Sequence, residues 1–554
     1  MSRRAFIETG ATASALALAG LAPAGRAIAQ PRALAASGEP WVEADIATLQ
    51  RRMQRRQLSS VELTQGYLNR IAQLNPLLGA VIETNPEALA IAARLDRERR
   101  AGRTRSPLHG IPVVVKDNIA TKDRMQTTAG SLALVGCTVP ADADLVANLR
   151  RAGAVIIGKA NLSEWANFRG FAPFNGWTAR GGFTRNPYQL DFDPSGSSSG
   201  SACAAAASLA TVAVGTETDG SILSPSGEQS LVGLKPTLGL VSGRGIIPIS
   251  SEQDTAGPMT RTVRDAALLL DAMRVPGRAV MGRRVPNSYA DDLDDIEPRR
   301  VRLAWGLRYA EGYFGPGDDD QAAVMSEALG ALRRTGVRVH DVTSIDPLAP
   351  GPDGITVPFD AEFVALLFEF KAQIEQYLAT LGDTSMRTLG DLMQFNLDRC
   401  EEEMPWYGQE IFEMAESTGG DLSSPDYLAA RSTTRWFGQT SIGQVLASGF
   451  DAVIMPTYSF GTSPAACAGY PSIAVPVGYT SYGRPVGFWL AAAPFQEAKL
   501  LRIARHIERS VGGRVAPTYG GTAIEPQPAG LCGDITPTST AKASAASRPT
   551  PRNW

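Results

Sequence analysis

Between Asp193 and Thr237 the chain reads DPSGSSSGSACAAAASLATVAVGTETDGSILSPSGEQSLVGLKPT, and few folds accommodate such a run. Small side chains dominate it, so whatever packs there packs backbone against backbone. A Ser/Gly loop (195–201) enters an alanine-rich segment (202–210), and a short β-branched strand (211–214) empties into a second small-residue loop (215–221). Glycines at 196, 200, 215 and 220 permit close approach of main chains. Bare N–H groups in such loops are free to point at a ligand. Two serine-bearing loops joined by tightly packed small residues form a plausible nucleophile site.

Serine is a weak nucleophile until a base lies within hydrogen-bond reach. The chain has only three histidines, at 109, 340 and 506. His109 sits in a tight His-Gly-Ile-Pro segment, where holding the backbone is the simpler role. A metal cluster is not expected, because the five cysteines (137, 203, 400, 467, 532) show neither a CxxC pair nor zinc spacing. No disulfide framework is expected either, and Cys203 reads as a small buried filler.

Five motifs in order supply another base. LHGIPVVVKDNI (108–119), SGSSSGSA, GTETDGSI with GLKPT, QDTAGPMTRTV (253–263) and AGYPSIAVPVG (468–478) resemble the amidase signature family over roughly residues 41–509. The resemblance implies a Ser–cis-Ser–Lys triad. Its lysine falls on Lys116, its bridging serine on Ser197, held by a cis peptide bond, and its nucleophile on Ser221. It further implies an oxyanion hole of main-chain N–H groups from Thr218, Asp219, Gly220 and Ser221, and places Ser131 of TTAGS near the substrate. The implied reaction is hydrolysis of carboxamide C–N bonds through an acyl-enzyme, without metal or organic cofactor.

For that relay Lys116 must be neutral, and burial away from a carboxylate lowers a lysine pKa. Asp117 is adjacent, but consecutive strand residues face opposite sides, so it need not pair with the amine. Asp219 stands where many family members have glycine, and Leu223 where many have arginine. Without that arginine an anionic substrate is disfavoured. GTETDGSI with GLVSGRGIIPIS (239–250) is closest to the peptide amidase branch, which acts on C-terminal peptide amides. Two alternatives stay open: the glutaminase-type subunit of an amidotransferase, and an inactive binding protein on the same fold.

Two decoys are set aside. Gly196–Gly200 satisfies G-x-S-x-G around Ser198, but Asp191–Pro194 is poor strand material for a nucleophile elbow. Gly153–Lys159 imitates a phosphate loop, yet Ala160 replaces the required Ser or Thr, and its four apolar residues read as a strand.

The expected architecture is α/β: an amidase-signature fold, a mixed central β-sheet covered by helices on both sides. The capping-box spacing at Ser59–Glu62 starts a helix that Asn75–Pro76 is expected to stop. Further helices are expected over 87–100, 359–381, 386–415 and 496–509, and Lys116 is expected at the end of a short strand. A net charge of −3 with no basic stripe gives no sign of a nucleic-acid partner. At the N-terminus Ser2-Arg3-Arg4-Ala5-Phe6-Ile7, a short apolar run and Ala27-Ile28-Ala29 read as a twin-arginine signal. The run is too short for a stable membrane span. Residues 1–29 are thus expected to be a signal peptide cut after Ala29, 30–40 a linker, 41–515 the amidase domain and 516–554 a disordered tail. Export by the twin-arginine (Tat) machinery makes the protein periplasmic or secreted, with a small-molecule or peptide amide as substrate.

Overall fold

Away from the sheet edges the strands are buried on both faces, and two of them alternate between two cores. In Ala452–Pro456, Ala452 and Ile454 enter one apolar cluster while Val453 and Met455 enter another. In Pro485–Ala491, Phe488 and Leu490 face the first cluster, Trp489 and Ala491 the second. A period of two with both faces apolar requires cover on each side of the sheet.

The computed structural model describes residues 39–532 apart from 275–278, 307–318, 345–357, 458–460, 525 and 527. Eleven strands form one mixed sheet: β1 Val81–Thr84, β2 Pro112–Lys116, β3 Val155–Ala160, β4 Val212–Glu217, β5 Val232–Lys235, β6 Thr255–Thr260, β7 Arg302–Gly306, β8 Arg338–Val342, β9 Ala452–Pro456, β10 Ser472–Tyr479 and β11 Pro485–Ala491. Their spatial order is β1-β3-β2-β4-β6-β5-β10-β11-β9-β7-β8. β2 runs parallel to both neighbours, pairing Val113 with Ile156 and with Val212. β4 and β6 are antiparallel, with Glu217 opposite Thr255. Lys116 and Glu217 therefore emerge at the same end of adjacent parallel strands. The α/β architecture expected from the sequence is the one observed.

Helices cover this frame. Ile46–Gln54, Ser60–Leu78, Ala88–Arg100, Asp144–Ala152, Val263–Met273 and Glu497–Ser510 bury their apolar faces in the larger core. Ser59 and Glu62 form the expected capping box. Pro76 does not stop that helix, which runs to Leu78 and ends on left-handed Gly79. A proline in the last turn removes one backbone bond, and the Asn75 side chain stays useful by bonding both backbone groups of Val81. Helices Pro358–Leu378, Leu389–Asp398 and Glu410–Ser417 make a separate apolar cluster with Ala129, Trp165, Phe168, Ile247 and Ile249. The single helix expected over 386–415 is thus interrupted: a short helix Cys400–Glu403 and Pro405 lie between its two main pieces.

Two expectations about the C-terminal region are corrected. Residues just past 515 pack on the domain instead of leaving it: Tyr519 is buried, donates its N–H to Pro187 and takes a hydrogen bond from Arg70. Cys400 and Cys532 form a disulfide spanning 132 residues, with Cα atoms 5.7 Å apart, while Ala529 N–H donates to Pro405. Proline, serine and alanine content hides these few anchoring residues. The stretch expected to be a signal peptide, most of the expected linker and the chain from 533 onward lie outside the described residues. Among the described residues, no helix is long and apolar enough to cross a membrane.

Candidate active site

β2 delivers Lys116 at its C-terminal end, and the side chain is fully buried. Its Nζ lies 2.8 Å from Ser197 Oγ, 3.0 Å from Thr216 Oγ1 and 3.3 Å from the Thr216 carbonyl oxygen. No ion pair forms with the amine among the described residues. Burial pulls its pKa down to about 7, against the opposing pull of Asp254 and Glu217. Asp117 points away, as strand alternation requires. Its carboxylate accepts from Thr128 Oγ1 at 2.5 Å and Gly130 N–H at 3.2 Å, with Arg180 3.3 Å away.

Ser197 follows a cis peptide bond from Gly196, in the position the resemblance implies. A side chain at Gly196 would run into Ser163 Oγ at 2.2 Å, so this corner requires glycine. The alanine-rich segment forms the buried helix Ser199–Ala206, whose small side chains let it lie close to β4. Ser198, centre of the G-x-S-x-G pattern, is wholly buried and donates to the Thr216 carbonyl at 2.9 Å. It is committed to structure. Lys159, from the phosphate-loop lookalike, is likewise spent, donating to the Ile119 carbonyl and to Thr127 Oγ1 at 2.9 Å.

Ser221 lies in the turn between β4 and the helix Leu223–Glu228. The Ser198 N–H donates to the Ser221 carbonyl at 3.2 Å, which ties the two serine loops together. Among the described residues no hydrogen bond joins the Ser197 and Ser221 hydroxyls. Glu217 Oε2 accepts the N–H groups of Ile222 and Leu223 at 2.8 and 3.1 Å, leaving the preceding donors of 218–221 to face elsewhere. Gly220 supplies the positive φ of 76° that turns them. Asp219 accepts from Ser463 Oγ at 2.5 Å, and burial raises its pKa. Thr218 Oγ1 donates to Asp254 at 2.7 Å, and Asp254 also accepts from Ile249 and Ser250 N–H. The turn is held from both sides.

Ser131, which the resemblance places near the substrate, is fully buried, and its hydroxyl donates to Glu403 at 3.1 Å while capping Ala133 N–H. It secures the loop. His109 holds backbone as expected, its Nε2 2.9 Å from the Leu95 carbonyl. Thr216, Asn118 and Asp254 lie inside the sequence motifs with no role legible there, because only packing shows which side chains meet the amine.

The amidase family model matches residues 62–501, and this chain belongs to that family. A probable amidase of Arabidopsis thaliana is 39% identical over 86% of this chain and 92% of its own length. A glutamyl-tRNA(Gln) amidotransferase component from Symbiobacterium thermophilum is 34% identical, over 81% and 93%. The solved structure of native peptide amidase from Stenotrophomonas maltophilia superposes with a TM-score of 0.78 at 44% identity, over 86% of this chain and 99% of that one. The chain is therefore a hydrolase acting on amide C–N bonds.

Proposed function

We propose that Lys116, Ser197 and Ser221 act as the catalytic triad of this amidase. The observation that carries the reading is the 2.8 Å contact between the Lys116 amine and Ser197 Oγ, made with the amine buried and paired to no carboxylate among the described residues. A neutral amine has one lone pair and two N–H donors. The Thr216 carbonyl can only accept, and Thr216 Oγ1 accepts the second N–H, so the lone pair is left for the Ser197 proton. Ser197 then deprotonates Ser221, which attacks the amide carbonyl and forms the C–O bond of a tetrahedral intermediate. N–H groups of residues 218–221 stabilise the oxyanion; one such donor is worth about 10²–10³ in rate. Collapse breaks the C–N bond, Ser197 returning a proton to the leaving nitrogen, and water releases the acyl group by the same relay.

The substrate is a neutral amide, C-terminal amides of peptides among them. Leu223 is buried in the apolar core, so no cation stands there to take a carboxylate. We further propose Tat export and a periplasmic or secreted site of action. The N-terminal pattern and the Cys400–Cys532 disulfide support this, since disulfides persist in oxidising compartments. The same disulfide weighs against a cytosolic amidotransferase component. Fluorophosphonate labelling followed by peptide mapping tests the chemistry: the adduct is expected on Ser221, and an adduct elsewhere ends the assignment. N-terminal sequencing of the exported protein is expected to begin at Gln30.

A further inference from the structure

Asp254 closes a hydrogen-bond chain that begins far from the triad. The antiparallel ladder of β4 and β6 ends on Glu217 opposite Thr255, so the next residues along, Thr218 and Asp254, face each other. Thr218 Oγ1 donates to Asp254 Oδ1 at 2.7 Å. The other oxygen, Oδ2, accepts Ile249 N–H at 2.7 Å and Ser250 N–H at 2.9 Å. Ser250 Oγ donates in turn to Glu369, whose second oxygen accepts from Tyr427 at 2.8 Å and pairs with Arg431 at 2.7 Å. Glu369 and Arg431 are both buried. The turn 218–221 is thereby tied to an ion pair between the helices Pro358–Leu378 and Pro425–Gly438.

An anchor matters at this turn more than elsewhere. Its N–H groups must point at an oxygen that carries charge only in the transition state, and a donor aimed about 1 Å off loses most of its effect. Alternation along β4 puts Thr216 and Thr218 on one side, and Thr216 holds the lysine amine. The carboxylate therefore reaches both halves of the machinery, the turn through a hydrogen bond and the amine through its charge. Asp254 first and Glu217 second favour the protonated form of Lys116. Asp254 itself is pushed up to about 6 by burial, with Glu369 adding to the rise and its three hydrogen bonds opposing it. It is already ionised where the amine titrates, at about 7.

We propose that Asp254 is a positioning residue of this amidase, which aims the oxyanion donors through the Thr218 hydroxyl and is itself held by the Ser250–Glu369–Arg431 chain. This rests on the triad reading.

The test is the rate at which a fluorophosphonate labels Ser221 in the full-length enzyme between about pH 5 and 9. Phosphonylation needs the base, and its phosphoryl oxygen takes the place of the oxyanion, so no particular substrate is required. In wild type the rate is expected to rise through about pH 7. Asp254→Asn keeps the shape and removes the charge. Labelling is expected to slow by about 10- to 100-fold, and the rising limb to move to lower pH, because an anion near an ammonium raises its pKa. Thr218→Val is expected to slow labelling by about 10-fold or more. Thr218→Ser restores the hydroxyl and should recover the rate to within about threefold. A wild-type rate in Asp254→Asn or Thr218→Val, an unmoved limb in Asp254→Asn, or a Thr218→Ser as slow as Thr218→Val would overturn the positioning role and leave the triad standing. If Asp254→Asn does not fold, the two Thr218 variants decide alone. A wild type whose Ser221 is not labelled, or is labelled with no limb at about pH 7, would remove the triad reading and this one with it.

Discussion

The amine of Lys116 and the hydroxyl of Ser197 are 2.8 Å apart, although 81 residues separate them in the chain. β2 brings the lysine and the loop before the helix Ser199–Ala206 brings the serine. Thr216, at the end of β4, offers a carbonyl and a hydroxyl to the amine's other two directions. The base is aimed as well as buried.

Removing either serine hydroxyl is expected to separate the two roles. Ser221→Ala should lower kcat roughly 10⁴- to 10⁶-fold, as loss of a nucleophile does. Ser197→Ala removes a proton carrier and should cost about 10²–10⁴. Circular dichroism and thermal melting check that both variants fold; near-normal turnover by Ser221→Ala would end its assignment.

Activity should follow the ionisation of Lys116. The neutral amine is the working form, so kcat/KM is expected to climb as pH rises through about 7 and then level off. Thr216→Val, which deletes one contact to the amine, should shift that limb and slow the reaction by about 10-fold or more, while Thr216→Ser restores it. Stopped-time assays across pH on a neutral amide give the profile; a flat curve from about pH 6 to 9 would point to another base.

The same ionisation has a stability signature. An ordinary lysine titrates at 10.5, and Lys116 in the fold at about 7. Below pH 7 both folded and unfolded chains hold the proton, and the fold bears the full cost of a buried ammonium. Between 7 and 10.5 the unfolded chain binds more protons, so stability rises with pH. Lys116→Met lacks this dependence. Its stability advantage over wild type should be greatest near about pH 6 and shrink by on the order of 2–3 kcal/mol by about pH 9. Urea melts at the two pH values measure it, and an advantage that grows with pH would contradict the assignment.

Reduction of Cys400–Cys532 should destabilise the protein. The bridge closes a long loop, 132 residues by sequence separation, and such loops are worth about 2–4 kcal/mol through the entropy of the unfolded chain. Cys532→Ser is expected to lower the melting temperature by several degrees and to make the melt insensitive to dithiothreitol. A wild-type melt unchanged by dithiothreitol would show that the bridge does not form.

Much of this is written along the chain. Ordered motifs name the family, alternation places Asp117 on the far side of the strand from Lys116, and four apolar residues mark Val155–Ala160 as strand despite its phosphate-loop disguise. These are local properties, set by side-chain period and steric size over a few residues. What the sequence leaves undetermined depends on partners far away. Pro76 is tolerated because the Asn75 side chain and Gly79 complete the helix end. Ser131 turns to Glu403, 272 residues distant, and Cys400 finds Cys532 across another 132. Nothing in a local pattern encodes such pairings. The depressed basicity of Lys116 belongs here too: the residue type supplies the amine, but only a tertiary structure can remove its water and keep carboxylates from touching it.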